Sequence, residues 1–181
     1  LLAEKRNIPF EQAQKFVIEE YDKMGQNDAR WYIPDYWFDL FGLSTSIHTI
    51  LSSIDYAGGL YKDIDVIEEL AKSYKIVIST NNPASILKHK LQVLQWDHII
   101  LQTFSSISDF NNIVKNRYFY TQVCEKLEVG PEQMLHVGDH PIYDVHEPKA
   151  AGINAIRIDR SGESGDIHSL YDLWEILENC S

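Results

Sequence analysis

Cysteine is scarce in this 181-residue chain. Cys124 and Cys180 are too few to staple a domain of this size and lack C-x-x-C spacing, which excludes a disulfide framework and leaves one cysteine on a helix face and one in the tail. Positive charge is short too: 16 basic side chains stand against 27 acidic ones, a net charge of −11, which argues against a partner bound by neutralising a phosphate backbone. No run approaches the roughly 18 apolar residues of a membrane span. The opening "LLAEKRNIPF" has no basic stretch followed by an apolar core of signal-peptide type. These absences predict a soluble cytoplasmic protein that engages neither nucleic acid nor membrane. With 44% hydrophobic and 24% charged residues, the chain is able to close one good-sized core. It opens on Leu1 rather than Met, directly into helix-like sequence, so further chain upstream is expected.

Strand-like alternation is missing before Gly58. In "PFEQAQKFVIEEYDKMG", Phe10, Ala13, Val17, Tyr21 and Met24 form an amphipathic stripe, with Pro9 at the start and Gly25 as a stop. Trp31, Tyr32, Tyr36, Trp37, Phe38 and Phe41 then crowd into eleven residues, an aromatic cluster suited to a helical core, a substrate entrance or a contact surface; monomer and homodimer both stay open. After Gly58 the pattern changes. "YKIVIS" is a buried-strand run, Asn82 and Pro83 open a helix, "HIIL" is a short strand and "SSISDFNN" a loop. Residues 116–128 read as a helix, "EQMLHVGD" as a strand and turn, "DVHEPKAAG" as a helix closed by Gly152, "INAIRID" as a strand, and Leu170 to Leu177 as a last helix. Strands alternating with helices predict an α/β fold with a parallel sheet covered on both faces, and ligands of such folds sit beyond the carboxyl ends of the strands.

Polar residues occupy those ends. Thr80 and Asn81 follow the first strand just before a helix, where hydroxyl and amide donors would meet an anion; a capping turn explains them equally well. Asp139 ends the third strand in Gly138-Asp139, with Asp144 about a turn and a half further on. Carboxylates are the ligands Mg²⁺ prefers, and a strand-end turn with a capping Asp is the other reading. His136 and His140 flank that turn without the convergent partners a zinc site needs. Lys115 precedes a helix N-terminus, an unfavourable place for a cation unless an anion lies between; otherwise it is a solvated surface lysine. Thr80, Lys115 and Asp139 are therefore expected to converge at one edge of the sheet.

These segments resemble the haloacid dehalogenase-like hydrolases, a superfamily dominated by Mg²⁺-dependent phosphatases. "HVGDHPIYDVHEPKAAGINAIRIDR" resembles the family's fourth motif and the strand after it, and "YKIVISTNN" the second. "GGLYKDIDVIEELAKSY" is similar to the helix leading into that second motif. Lys115 matches the third motif's lysine, although Asn116 follows it where proline is common. The resemblance implies a helical cap over residues 1–57 and an α/β core over 58–181. It implies a phosphomonoester hydrolase acting on a small phosphorylated metabolite. Thr80, Lys115 and Asp139 would be catalytic, Thr80, Asn81 and Lys115 would bind the phosphate, and Asp139 would hold Mg²⁺, with Asp144 behind it orienting the turn or a metal-bound water. The family's first strand ends in Asp-x-Asp, whose first Asp attacks the substrate, and no such strand precedes the cap. Asp63-Ile64-Asp65 sits at a helix start and reads as helix N-terminal acids. The nucleophile is thus expected upstream of Leu1. A non-catalytic binding or scaffold protein on the same fold is the alternative, as is a 2-haloacid dehalogenase, whose relatives carry Ser-Asn in place of Gly138-Asp139.

Overall fold

Helices fill the first segment because its breaks fall where helices start and end. α1 (Leu2–Arg6) closes on Asn7 in the left-handed region, and α2 (Phe10–Met24) begins after Pro9 and stops at Gly25, whose φ is 75°. α3 (Pro34–Phe41) opens on Pro34, whose missing N–H has no helical partner to lose, and ends at Gly42 with φ 63°. Ser46 caps α4 (Ile47–Leu51), accepting from the Thr49 N–H at 3.2 Å. The computed structural model describes residues 1–54 and 59–178; the predicted boundary at 57/58 and Cys180 lie outside the described residues. Leu2, Ala13, Trp37 and Phe41 form the core of this segment, where Tyr21 stacks on Trp37 at 3.9 Å between centroids and Trp37 Nε1 donates to the Trp31 carbonyl at 3.0 Å. Four of the six clustered aromatics, Trp31, Tyr36, Trp37 and Phe41, thus serve a helical core. Phe10 departs from the predicted stripe: it is 68% exposed, and Ile8 and Phe16 pack against that core instead.

From Val66 onward strands and helices alternate. α5 (Val66–Leu70) leads into β1 (Ile76–Thr80), followed by α6 (Ala84–Leu94), β2 (Ile100–Ser105), α7 (Ser106–Phe110) and α8 (Arg117–Leu127). β3 (Leu135–Gly138), α9 (Glu147–Ala150), β4 (Asn154–Arg157) and α10 (Leu173–Glu178) complete the order. β1 and β2 run parallel with Thr80 opposite Ser105, and β3 and β4 run parallel with Gly138 opposite Arg157. Among the described residues these are two separate ladders, and side chains join them. On one face Val77, Phe104 and Ile153 pack against Phe119, Tyr120 and Val123 of α8. On the other, Ile76, Val137 and Ile156 meet Val66, Leu70 and Leu173, while Ile76, Ile78 and Ile100 meet Leu87 and Leu91 of α6. Parallel strands buried on both faces give the mixed α/β architecture that the alternation predicts. No helix among the described residues is long and apolar enough to cross a membrane.

Local chemistry shifts several predicted boundaries. α6 starts at Ala84, with Pro83 in the cap position because its ψ of 144° is not helical, and the Ala84 N–H, which has no helical partner, is satisfied by Ser108 Oγ at 3.0 Å. The predicted loop at 105–112 holds α7: Ser105 Oγ accepts from the Ser108 N–H (3.0 Å) and Asp109 accepts from the Ser105 N–H (2.7 Å), a reciprocal cap. Between β3 and α9 the chain makes a π-helical turn, Pro141–His146, in which the Glu147 N–H reaches back five residues to the Ile142 carbonyl. Asp63 stands in the first turn of a 3₁₀ helix, Lys62–Asp65, as the sequence suggests, and has a second role. It is buried, takes two bonds from Arg160 (2.9 and 3.0 Å) and one from the Leu170 N–H (2.7 Å), and so ties the chain before α5 to the chain after β4.

Candidate functional site

The carboxyl end of β1 supplies the first half of the site. Thr80 Oγ1 accepts from the Asn82 N–H (3.0 Å) and from Asn82 Nδ2 (3.3 Å), which leaves its own proton to donate. Asn81 turns inward: its Oδ1 accepts from the Lys115 N–H (2.8 Å) and from the fully buried Ser106 hydroxyl (3.2 Å). It therefore fastens the loop after β1 to the residues before α8. Asn116, standing where the family often has proline, caps α8 by accepting from the Phe119 N–H at 3.0 Å.

Lys115 is buried, 8% exposed, so the surface-lysine reading fails. Its ammonium lies 3.4 Å from the Ser79 carbonyl and forms a short ion pair with Asp144, the anion that its place before a helix N-terminus calls for. Asp144 is 5% exposed and its oxygens are fully engaged. Oδ1 meets Lys115 Nζ and His136 Nε2 (3.0 Å), and Oδ2 accepts from the His140 N–H (3.0 Å). Burial alone would raise its pKa, but the bonds from His136, Lys115 and the His140 amide together hold it far below the usual carboxylate range. Burial pushes the His136 imidazole below its ordinary 6.5; the bond to Asp144 works the other way and the Lys115 charge adds to the lowering. Behind them Tyr120 donates to the Tyr143 carbonyl (2.7 Å) and faces His136 Nε2 at 3.1 Å, and burial pushes its hydroxyl up. Gly138 lets this happen: a Cβ there would sit 2.4 Å from Asp144 Cγ.

Asp139 is exposed at the end of β3. Its carbonyl accepts from Arg157 Nε at 3.3 Å, and its carboxylate takes no hydrogen bond or ion pair from any described residue. The next residue, His140, accepts the Ile142 and Tyr143 N–H groups on Nδ1 (both 3.2 Å) and stacks on Tyr143 at 4.3 Å. A continuous chain of hydrogen bonds thus runs from Asn81 through Lys115 and Asp144 to His140, which brings the loop beside Thr80 and the turn beside Asp139 to one place. Among the described residues no three His, Cys, Asp or Glu side chains gather as a metal cage. Mg²⁺ needs no such cage, since one or two carboxylates with waters and a phosphate suffice; the free Asp139 oxygens fit it as a partial site, whereas Asp144 is spent on protein donors.

Sequence reasoning weighed His136 only as a zinc ligand and passed over Tyr120. Their signals were present: His136 shares a strand face with Gly138, and Tyr120 puts a hydroxyl on an apolar helix stripe, where it needs a partner.

Comparison with known proteins agrees with this fold. The chain superposes on the HAD phosphatase from Thermococcus onnurineus with a TM-score of 0.82 and 26% identity, covering 97% of this chain and 84% of that one. The 2-haloacid dehalogenase from Pseudomonas syringae pv. Tomato DC3000 shares the fold at TM-score 0.68 and 18% identity, over 99% and 87% of the two chains. YfnB of Bacillus subtilis, described as a HAD-hydrolase and bound to magnesium, does so at the same score and identity, over 98% and 87%. No curated protein gives a significant match. The family model of haloacid dehalogenase-like hydrolases matches residues 3–152, most of the sequence, and the chain belongs to that family.

Proposed function

We propose that the protein is a Mg²⁺-dependent phosphomonoester hydrolase acting on a small phosphorylated metabolite, with residues 1–57 as a helical cap and 58–181 as the core. The observation that carries the reading is a buried lysine pinned by a buried carboxylate at the carboxyl ends of β1 and β3, with an exposed carboxylate, Asp139, on the residue just after β3 that takes no bond from any described residue. Phosphoryl transfer needs little more than positioning and charge neutralisation, and a surface of net charge −11 needs local cations to admit an anion. In this reading the Thr80 hydroxyl donates to one phosphoryl oxygen and the Lys115 ammonium to another. Asn81 holds the Lys115 backbone, and Asp139 would hold Mg²⁺, which supplies further neutralisation of the phosphoryl charge when bound. The attacking carboxylate comes from chain outside residues 1–181, on a parallel strand between β1 and β3. The separate β1–β2 and β3–β4 ladders support that placement.

The test is hydrolysis of a generic aryl phosphate by the complete protein, with and without Mg²⁺. Wild type should be Mg²⁺-dependent, and Asp139→Ala should lose activity with an unchanged urea midpoint, since its exposed side chain leaves no core cavity. Full activity in Asp139→Ala, or none in the wild type, refutes the reading. Asp144→Ala is a different perturbation: it strands a buried ammonium, at a cost of about 3–5 kcal/mol, so its activity loss carries a stability loss with it.

A further inference from the structure

Two side chains behind Lys115, His136 and Tyr120, have no part in the chemistry described so far. Both are enclosed, Tyr120 at 1% exposed and the His136 side chain at 14%. Their proton positions follow from counting donors. Tyr120 has one O–H proton, and a carbonyl only accepts, so the 2.7 Å bond to the Tyr143 carbonyl consumes it. The same oxygen therefore faces His136 Nε2, at 3.1 Å, as an acceptor. Asp144 Oδ1, 3.0 Å from that nitrogen, is an acceptor as well. Two acceptors converging on one ring nitrogen require that it carry the hydrogen, and burial, which disfavours the charged ring, leaves Nδ1 bare.

We propose that His136 is a positioning residue for Lys115: as the Nε2–H tautomer it holds the Asp144 carboxylate that holds the lysine ammonium, and Tyr120 locks both the ring and the Tyr143 carbonyl. The proposal rests on the reading above that Lys115 faces a phosphoryl group. A carboxylate gripped by a lysine alone is free to turn about its own bonds, and the ammonium, on a flexible four-carbon stem, follows it. Here Lys115 and His136 meet Oδ1 while the His140 N–H meets Oδ2, so the plane of the carboxylate is fixed from both ends. Because side chains alternate along a strand, His136 lies on the same face of β3 as Gly138, directly under the turn it steadies.

The first test is the tautomer, read by two-bond ¹H–¹⁵N correlation on histidine-labelled complete protein at pH 7: Nε2–H is expected, and Nδ1–H overturns the proposal. In the second, His136→Leu should lower kcat/KM for the aryl phosphate about 10–100-fold, the range seen when a supporting partner of a site residue is lost. His136→Gln, whose amide N–H reaches the place of Nε2–H, should recover most of that loss, and Tyr120→Phe should fall between. Equal losses in the Leu and Gln variants, tracking their thermal stabilities, would mean a merely structural role and overturn it. In the third, Lys115 acetylation by acetic anhydride, read by peptide mass spectrometry, should speed up in His136→Leu and stay at the wild-type rate in His136→Gln. If the complete wild type hydrolyses no phosphomonoester, the proposed function fails; the tautomer and acetylation arms still decide the positioning, and unchanged Lys115 acetylation in His136→Leu refutes it.

Discussion

Gly138→Ala is the sharpest probe of the site that needs no substrate. A Cβ at this position would lie 2.4, 2.6 and 2.7 Å from Cγ, Cβ and Oδ2 of Asp144, all inside the distance that real Cβ contacts keep. Gly138 does not lie in the left-handed region, so the cost is contact alone. Asp144 has nowhere to go, being 5% exposed and bonded to Lys115, His136 and the His140 amide. Two responses are open. Lifting the turn after β3 is overpacking, typically about 1–3 kcal/mol. Swinging Asp144 away breaks a buried ion pair, about 3–5 kcal/mol. The molecule takes the cheaper route, so we expect a loss of about 1–3 kcal/mol. At this chain length that lowers Tm by roughly 2–12 °C. The assay is urea unfolding followed by circular dichroism, with Gly59→Ala as the control, since nothing lies within 4 Å of a Cβ there. A Gly138→Ala midpoint indistinguishable from that of Gly59→Ala would refute the packing argument.

The depressed His136 gives stability a pH dependence of definite sign: the folded state keeps the ring neutral while the unfolded chain protonates it near pH 6.5, so stability is full above that value and falls on acidification, by up to about 1.4 kcal/mol per pH unit. Asp144 adds a second decline below about pH 3.9, where the unfolded carboxylate takes up its proton first. Urea titrations at pH 7.5, 6 and 5 should show the first slope in wild type and a smaller one in His136→Gln; equal slopes would contradict it. Asp63→Ala should cost about 2–4 kcal/mol, because it strands Arg160 and the Leu170 N–H, whereas Asp65→Ala, which loses one exposed bond from Tyr171, should cost under about 1 kcal/mol; thermal melts decide between them.

Much of the framework was legible because its signals are local. "KIVIST" is a β-branched run between polar turns, and β1 occupies it; Gly25, Gly42 and Gly152 stand in left-handed backbone where helices end. The segments carrying Thr80, Lys115 and Asp139 were legible through strand ends and a resemblance, but the use of each side chain was not. Whether Lys115 is solvated or buried depends on Asp144, 29 residues away, and the environment of Asp63 depends on Arg160, 97 residues away. No periodicity encodes such partners. Asn81 reads from the sequence as an anion donor; that its Oδ1 also anchors the Lys115 amide, 34 residues away, no local signal announces. α7 was hidden because its capping serines read as loop polarity.

The π-helical turn after β3 makes chain length itself a part of the site. A π turn accommodates one residue more than an α turn between the same two hydrogen-bonded levels, and each residue in a helix advances the direction of side chains by about 100°. Deleting one residue between His140 and Glu147 would return the segment to ordinary α bonding with α9 and the fully buried Pro148 at the same level, while side chains inside the turn would be redirected by about that angle. Asp144 would then leave Lys115, or Tyr143 would leave Tyr120. The interval from Asp139 to Asp144 is therefore a mechanical dimension, set by the distance between a strand end and a helix face. Substitutions within it are open to side chains that respect the contacts, while insertions and deletions are closed.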